Sequence, residues 1–311
     1  MKTANYLKLA SLLFATAALL TGCGGADSDT GTGKLTLSIT DAAVDNAEHV
    51  YVQFHGIELQ GAGTRTVLYY CQDAADASKT VVRNAACTTA AAPKKIDLLA
   101  LNSGLSDTLL NEYVLPAGAY NWIRLMVDTD AVLDSYIVVM GGASHELTIP
   151  SGSESGLKLN RGFVVPNNGS ADFTIDFDLR KSIHLTGTGE YKLRPTLRLA
   201  DNTLAGSIAG SVAASIIPSG CSPAVYVFAG SGTTPDDIDG IAPDPVTTAS
   251  VKLNSISGEY RYTAAFLEAG NYTVAYTCQA LDDDPTVDDA LTFSGTSNAT
   301  VTAKTTAILN F

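Results

Sequence analysis

The chain has 311 residues, of which 46% are hydrophobic and 16% charged, and 32 Asp and Glu outweigh 19 Lys and Arg to give a formal net charge of −13. So acidic a chain repels phosphate backbones and anionic headgroups, which argues against nucleic-acid binding and against adsorption to anionic lipid. Its length admits one large domain or two ordinary ones.

The chain opens with Lys2 and Lys8, followed by a nearly unbroken apolar run over residues 9–20. At roughly a dozen residues the run is too short to cross a bilayer and fits the apolar segment of a secretory leader. Leu20-Thr21-Gly22-Cys23 follows at once, and it resembles the lipobox of bacterial lipoproteins. That resemblance implies cleavage before Cys23, acylation of its thiol with chains such as palmitate, and anchoring by more than one chain, since a single chain holds only marginally. Gly24 stands where an Asp would resemble the inner-membrane retention signal, so the resemblance points to the outer membrane. Removing residues 1–22 deletes two lysines and no acid, which carries the net charge to −15 and leaves 289 residues. Residues 23–32 are small and polar and read as a flexible linker.

From residue 33 the pattern is that of strands. Residues 34–40 (KLTLSIT) alternate strictly, and residues 41–45 break the alternation with turn formers. Residues 49–59 (HVYVQFHGIEL) alternate again, and a third strand runs from about Thr66 into Cys71. Residues 73–92 carry no period and read as an excursion. The leucines of residues 96–101 and 105–110 have helical spacing and predict one or two short helical turns. Strand signals return at residues 113–115, and residues 119–127 (AYNWIRLMV) are the strongest strand, with its inward parity left open between Tyr120 and Trp122 or their alternates. Residues 135–140, 145–149, 156–165, 171–179 and 191–199 complete the set, with a Ser/Gly-rich loop after Pro150. In residues 171–179 (ADFTIDFDL) Phe173, Ile175, Phe177 and Leu179 share one face, which leaves Asp172, Asp176 and Asp178 for solvent. About nine short strands with regular turn signals predict an antiparallel sandwich over residues 33–201.

Several separated motifs of this region occur in an order that resembles one family. They are Leu37-Ser-Ile-Thr-Asp-Ala42, Ile96-Asp-Leu-Leu99, Leu115-Pro-Ala-Gly-Ala-Tyr120 with Ile123-Arg-Leu125, and Ile149-Pro-Ser-Gly152 with Gly156-Leu-Lys158. Asp176-Phe-Asp-Leu-Arg-Lys-Ser182 and Leu193-Arg-Pro-Thr-Leu-Arg-Leu199 continue the series. The region resembles the domain-of-unknown-function 4382 family of bacterial envelope lipoproteins, over roughly residues 33–200. Ala43 departs from the proline common after Asp-Ala in that family, and the insertion around Cys71 and Cys87 is private to this chain. The resemblance brings no activity with it.

A second set of strands occupies residues 203–311, with the segments 204–212, 224–228, 259–266, 270–278 and 298–311. Its order resembles carboxypeptidase-regulatory-like, prealbumin-type sandwiches, Leu267-Glu-Ala-Gly-Asn-Tyr-Thr-Val274 forming the hairpin before a core strand. The whole chain is therefore expected to be all-β, two antiparallel Ig/prealbumin-like sandwiches behind a leader and a short linker. Beyond Cys23 there are four cysteines, Cys71, Cys87, Cys221 and Cys278, an even number that suggests two disulfides in an exported protein. Three pairings are open; if the domains divide near residue 203, the pairings within them are Cys71–Cys87 and Cys221–Cys278. Zinc is disfavoured, because there is no C-x-x-C and the four histidines are scattered.

No catalytic signature is present: G-x-S-x-G, the P-loop and H-E-x-x-H are all missing, and His145-Glu146 is followed by Leu-Thr-Ile. The chain is accordingly read as non-enzymatic. The acidic segments 235–240 with Asp244, and 281–285 with Asp288 and Asp289, concentrate hard oxygen ligands of the kind calcium takes. Asp236, Asp237, Asp239 and Asp244 are the candidate ligands. Trp122 and Tyr260 are candidates for a glycan platform, against the alternative that these aromatics serve the β structure itself. The functional expectation is an envelope protein tethered through its N-terminal lipid, with a binding, adhesion or scaffolding role; the alternative is a carbohydrate-binding surface module, and an envelope hydrolase stands third. The partner in either leading case is a glycan or another envelope protein.

Overall fold

The computed structural model describes residues 31–42, 46–61, 63–128, 133–150 and 156–311. The leader, Cys23 and the linker up to residue 30 lie outside them, as do residues 43–45 of the first turn and 151–155 of the Ser/Gly-rich loop. Among the described residues, no helix is long and apolar enough to cross a membrane.

The first unit opens with β1 (Thr32–Ala42) and the long β2 (Ala47–Gly61), then β3 (Arg65–Gln72), β4 (Thr80–Arg83) and β5 (Lys94–Asp97). A 3-10 turn, Leu98–Leu101, leads to β6 (Asp107–Pro116) and β7 (Gly118–Val127). β8 (Tyr136–Val139), β9 (Ser144–Thr148), β10 (Leu157–Leu159), β11 (Phe163–Val165) and β12 (Ser170–Asp178) follow. A single helical turn, α1 (Leu179–Ser182), precedes β13 (Ile183–Leu185), β14 (Tyr191–Leu193) and β15 (Leu197–Asp201). One sheet has the order β15-β12-β1-β6; the other runs β10-β7-β2-β8-β9-β14-β13, with β11 added to β7 and β3 and β5 to β2. Leu35, Leu37, Ile39, Ile175 and Phe177 of the first sheet meet Val52, Phe54, Leu59, Ile123 and Leu125 of the second in one buried cluster. The sandwich is mainly antiparallel, yet β1 pairs with β12, and β9 with β14, in parallel.

Two bulges decide which side chains enter this core. The register of β2 against β7 shifts between Phe54 and Gly56, so Val50, Val52 and Phe54 point inward before the shift and Ile57 and Leu59 after it. Gly56 is required there, because a Cβ would lie 2.2 Å from the Leu68 carbonyl oxygen. A second shift between Gln60 and Gly61 brings Tyr120 inward along with Ile123, Leu125 and Val127. The same shift leaves Trp122 on the outer face, half-buried beneath Lys158 Nζ, which lies 4.5 Å from the ring centroid.

Of residues 105–110, expected to be helical, residues 107–110 belong to strand β6 instead. Leu109 and Leu110 are both buried because β6 is irregular against β1, with register shifts at Leu35/Leu37 and Leu37/Ser38 and a left-handed Glu112 (φ 45°). Two inward leucines in succession imitate helical spacing.

The second unit contains β16 (Gly206–Val212), β17 (Ala224–Ala229), β18 (Thr247–Ser250) and β19 (Lys252–Leu253), then β20 (Tyr260–Leu267), β21 (Gly270–Thr277), β22 (Phe293–Val301) and β23 (Thr306–Ile308). They form two four-stranded sheets, β19-β20-β16-β23 and β18-β17-β21-β22. Val225, Val227, Val274 and Tyr276 face the other sheet and join Ile208, Tyr262 and Leu267 in the core. Disulfides join Cys71 to Cys87 and Cys221 to Cys278, with Cα–Cα separations of 5.5 and 4.7 Å inside the ordinary range.

Candidate functional site: two acidic loops over one sheet face

β17 is buried on both faces, which the core alone does not explain. Ala224, Tyr226 and Phe228 point away from the sandwich interior and form a second small cluster with Ala275, Ile238 and Ala280. Ile238 comes from the long connection 230–246, and Ala280 from the connection 278–292, so both loops fold back over the outer face of the sheet. These are the two acidic segments, and burying Tyr226 and Phe228 beneath them brings their carboxylates together.

Asp237, Asp283 and Asp289 form the only three-carboxylate group of this kind among the described residues, with one oxygen of each within 4.8 Å of the others. Asp237 is 1% exposed. Its Oδ2 accepts from the Asp289 amide at 2.5 Å, while its Oδ1 is buried without a hydrogen-bond partner. Asp283 accepts from the Ile238 amide at 3.1 Å and from the Tyr226 hydroxyl. Burial pushes the Asp283 carboxyl above its usual range, opposed by the Tyr226 and Ile238 hydrogen bonds and by the Arg180 charge. Asp289 accepts from the Asp284 amide at 2.7 Å.

The other candidate ligands are spent elsewhere. Asp239 caps its own turn through the Ile241 amide at 2.7 Å, Asp236 accepts from the Asp237 amide at 3.2 Å, and Asp244 is ion-paired with Lys181. Asp239 and Asp244 therefore do not join Asp237, which gains Asp283 and Asp289 from the other loop. Asp236 lies beside Asp237, and its carboxyl is raised by burial first, with the Asp237 charge adding to the rise. Trp122 and Tyr260 sit on different sandwiches and make no common platform. Tyr260 packs against the core of the second.

The acidic loops also meet the first sandwich. Arg180 of α1 is buried; its Nη1 donates to the Ala280 carbonyl at 2.6 Å and its Nε to Thr248 Oγ1 at 3.3 Å, and its guanidinium lies 5.7 Å from the Tyr226 ring. Lys181 donates to the Pro245 carbonyl at 2.5 Å, Arg198 to the Phe266 carbonyl at 2.6 Å, and Arg161 pairs with Glu268 at 2.9 Å. A cavity of about 210 Å³ remains in this seam, lined among others by Arg180, His184, Tyr191, Asp283 and Thr286.

Behind the seam lie Asp41, Asp176 and Asp178, all buried, a correction to the solvent face that strand alternation assigns to Asp176 and Asp178. The outer face of β12 at its C-terminal end is covered rather than open. Asp176 is paired with Arg198, and Asp178 caps α1 by accepting from the Lys181 amide at 3.2 Å. Asp41 Oδ2 and Asp178 Oδ2 are buried without hydrogen-bond partners. Burial raises the Asp41 carboxyl well above its ordinary range, reinforced by the charges of Asp176 and Asp178. Burial likewise pushes Asp178 up to about 6, although Lys181 opposes it.

A carboxyl raised on folding stabilises the fold only while it stays protonated. The contribution is complete below the unfolded value near 3.8 and is lost as pH rises through about 6. Asp178→Asn keeps the capping oxygen and removes the charge. The variant is expected to match the wild type near pH 4 and to exceed it at pH 8 by up to about 3 kcal/mol in urea unfolding. A wild type that stays the more stable of the two at pH 8 would refute this reading.

Geometrically, then, the chain is an all-β protein of two sandwiches joined by a polar seam, with a carboxylate cluster at one end of that seam. Residues 32–195 match the family described as domain of unknown function (DUF4382), and the chain belongs to that family. No curated protein matches the chain. Among solved structures it is similar to the TIE protein of Bacillus anthracis, at 10% identity and TM-score 0.19, covering 90% of this chain and 33% of that one. It is also similar to a leucine-rich repeat protein from Bacteroides thetaiotaomicron, at 14% identity and TM-score 0.21, over 90% of this chain and 26% of the other. The minor pilin of Streptococcus agalactiae is a third, at 11% identity and TM-score 0.18, over 89% and 94%. The chain thus spans about a third and a quarter of the first two proteins, and likenesses at these scores carry no argument about what it does.

Proposed function

We propose that this is a non-enzymatic protein of the bacterial envelope, lipid-anchored at Cys23, whose two sandwiches serve as a binding, adhesion or scaffolding body. The observation that carries this reading is the employment of the buried charges. Arg180, Lys181 and Arg198 are committed to carbonyls and carboxylates of the seam. Asp176 and Asp178 are committed to Arg198 and to the α1 cap. Groups that acid–base chemistry would need at an open cleft are instead engaged across the seam, as Arg180, Lys181 and Arg198 are, or inside the first sandwich, as Asp176 and Asp178 are. A stiff, disulfide-bonded body behind a short polar linker suits presentation at a membrane surface. The lipobox resemblance of residues 20–23 supplies the anchor.

Cells fed labelled palmitate are expected to incorporate it into the wild-type protein and not into a Cys23→Ser variant. Wild-type protein that takes up no label, or Cys23→Ser protein that takes up as much, would overturn the anchoring.

A further inference from the structure

We infer that Asp237, Asp283 and Asp289 bind a divalent, oxygen-liganded cation of the calcium type, which clasps the two acidic loops together over Tyr226 and Phe228. Three independent features lead there. The carboxylates approach within 4.8 Å of one another although like charges repel at that distance. Arg180, the cation whose charge opposes the rise of the Asp283 carboxyl, divides its donors between Ala280 and Thr248 and so does not serve the three acids alone. Above all, Asp237 is 1% exposed with Oδ1 bonded to nothing. A buried carboxylate oxygen without a partner is costly, and a cation in contact with it removes that cost.

The donor set selects the type of metal. Oxygen is the only ligand atom offered by the three, with no imidazole or thiolate in the group, which disfavours zinc and copper and suits calcium or magnesium. The site is built on loops and leaves several positions for backbone carbonyls or water, a geometry calcium tolerates and magnesium does not. Four of the six carboxylate oxygens already accept hydrogen bonds from Ile238, Tyr226, Asp289 and Asp284. That arrangement pre-positions the carboxylates, while Asp237 Oδ1 and Asp289 Oδ1 stay free for the ion. A site with three acidic ligands on loops belongs with the weak modules of extracellular proteins, with dissociation constants of about 0.1–1 mM.

The clasp has a mechanical consequence. Ala280, whose carbonyl receives Arg180, begins the loop that carries Asp283 and Asp289. An ion that fixes this loop to Asp237 therefore also fixes the surface on which the first sandwich docks. The inference stands independently of the lipid anchor and is tested without it.

The test uses residues 24–311 produced without the leader, melted in millimolar calcium and in chelator. Calcium is expected to raise the midpoint by about 3 °C or more, as binding at several times the dissociation constant must. Asp237→Asn, which removes the buried charge and keeps the shape, is expected to melt in chelator at or above the wild-type midpoint and to gain nothing from calcium. Asp289→Asn, at a less buried position, is expected to lose the calcium response as well. Terbium, a calcium mimic, is expected to give tyrosine-sensitised emission through Tyr226, whose hydroxyl bonds Asp283. Calcium is expected to displace it, and Asp237→Asn to weaken it at least about tenfold. A wild-type midpoint that ignores calcium overturns the inference. So does a calcium response that survives in both variants, since the ion would then bind elsewhere.

Discussion

Serine at both Cys221 and Cys278 is expected to destabilise the second sandwich by about 4 kcal/mol, the loop-closure entropy of a crosslink spanning 57 residues. The position of the bridge makes the loss global. Cys221 precedes β17 and Cys278 follows β21, so the closed loop contains the central antiparallel pair of one sheet together with β18, β19 and β20. The serine hydroxyls can still reach the polar groups that the sulfurs touch, Tyr276 Oη at 3.1 Å from Cys278 Sγ and the Ile216 carbonyl at 3.5 Å. What is lost is therefore the constraint on the unfolded chain more than a native contact. The midpoint should fall by more than about 10 °C. The Cys71–Cys87 bridge closes only 16 residues and is worth about 3 kcal/mol on the same basis. It ties the excursion around β4 to the end of β3, away from the central strands. A double serine variant at 221 and 278 that melts within a degree or two of the wild type would show that the seam, rather than the crosslink, holds the second sandwich.

Much of this architecture was legible before any coordinates. Strand alternation in residues 34–40 and 171–179 reproduces β1 and β12, and the arithmetic of four cysteines divided between two sandwiches leaves the two pairings that the structure contains. The failures have a common cause, because alternation reports which side chains share a face and not what covers that face. Asp176 and Asp178 fall on the polar side of β12 as expected, yet that side lies against the second sandwich and its carboxyls are buried. Bulges are equally silent in a sequence. Leu109 and Leu110 look helical only because β6 loses register against β1. The acidic loops could be found by composition, but their meeting could not. Asp237 and Asp283 are separated by four strands, and what joins them is the outward-facing Tyr226 and Phe228, which need a cover. The useful signal was the unbroken apolar run Ala224-Val-Tyr-Val-Phe228: a strand with no polar face must be covered on both sides.

Glu58 is the residue that pattern reading passes over most completely, and its removal carries the other large expected effect. The register shift at Gly56 turns it to the outer face of β2, out of phase with Ile57 and Leu59, where an acid is ordinarily solvated. Instead it is 1% exposed. The register explains why. Arg124 of β7 stands directly opposite Glu58, and Arg65 of β3 stands opposite Gln60, one diagonal step away. Both guanidinium groups reach the carboxylate and cover it. Glu58→Leu leaves Arg124, with a side chain only 19% exposed, beside an apolar group, and breaking a buried pair from one side costs about 3–5 kcal/mol. The double variant Glu58→Leu with Arg124→Leu removes both charges of the buried pair and leaves Arg65, whose side chain is already exposed, to water, and replacement of a buried pair by apolar groups is near neutral. Urea unfolding is therefore expected to show a large loss for the single variant and recovery of most of it in the double. Equal losses in the two variants would mean that Glu58 acts through packing rather than charge. A Glu58→Leu protein as stable as the wild type would mean that Arg124 swings out to water once its partner is gone, so that the cluster contributes coverage of the sheet and little energy.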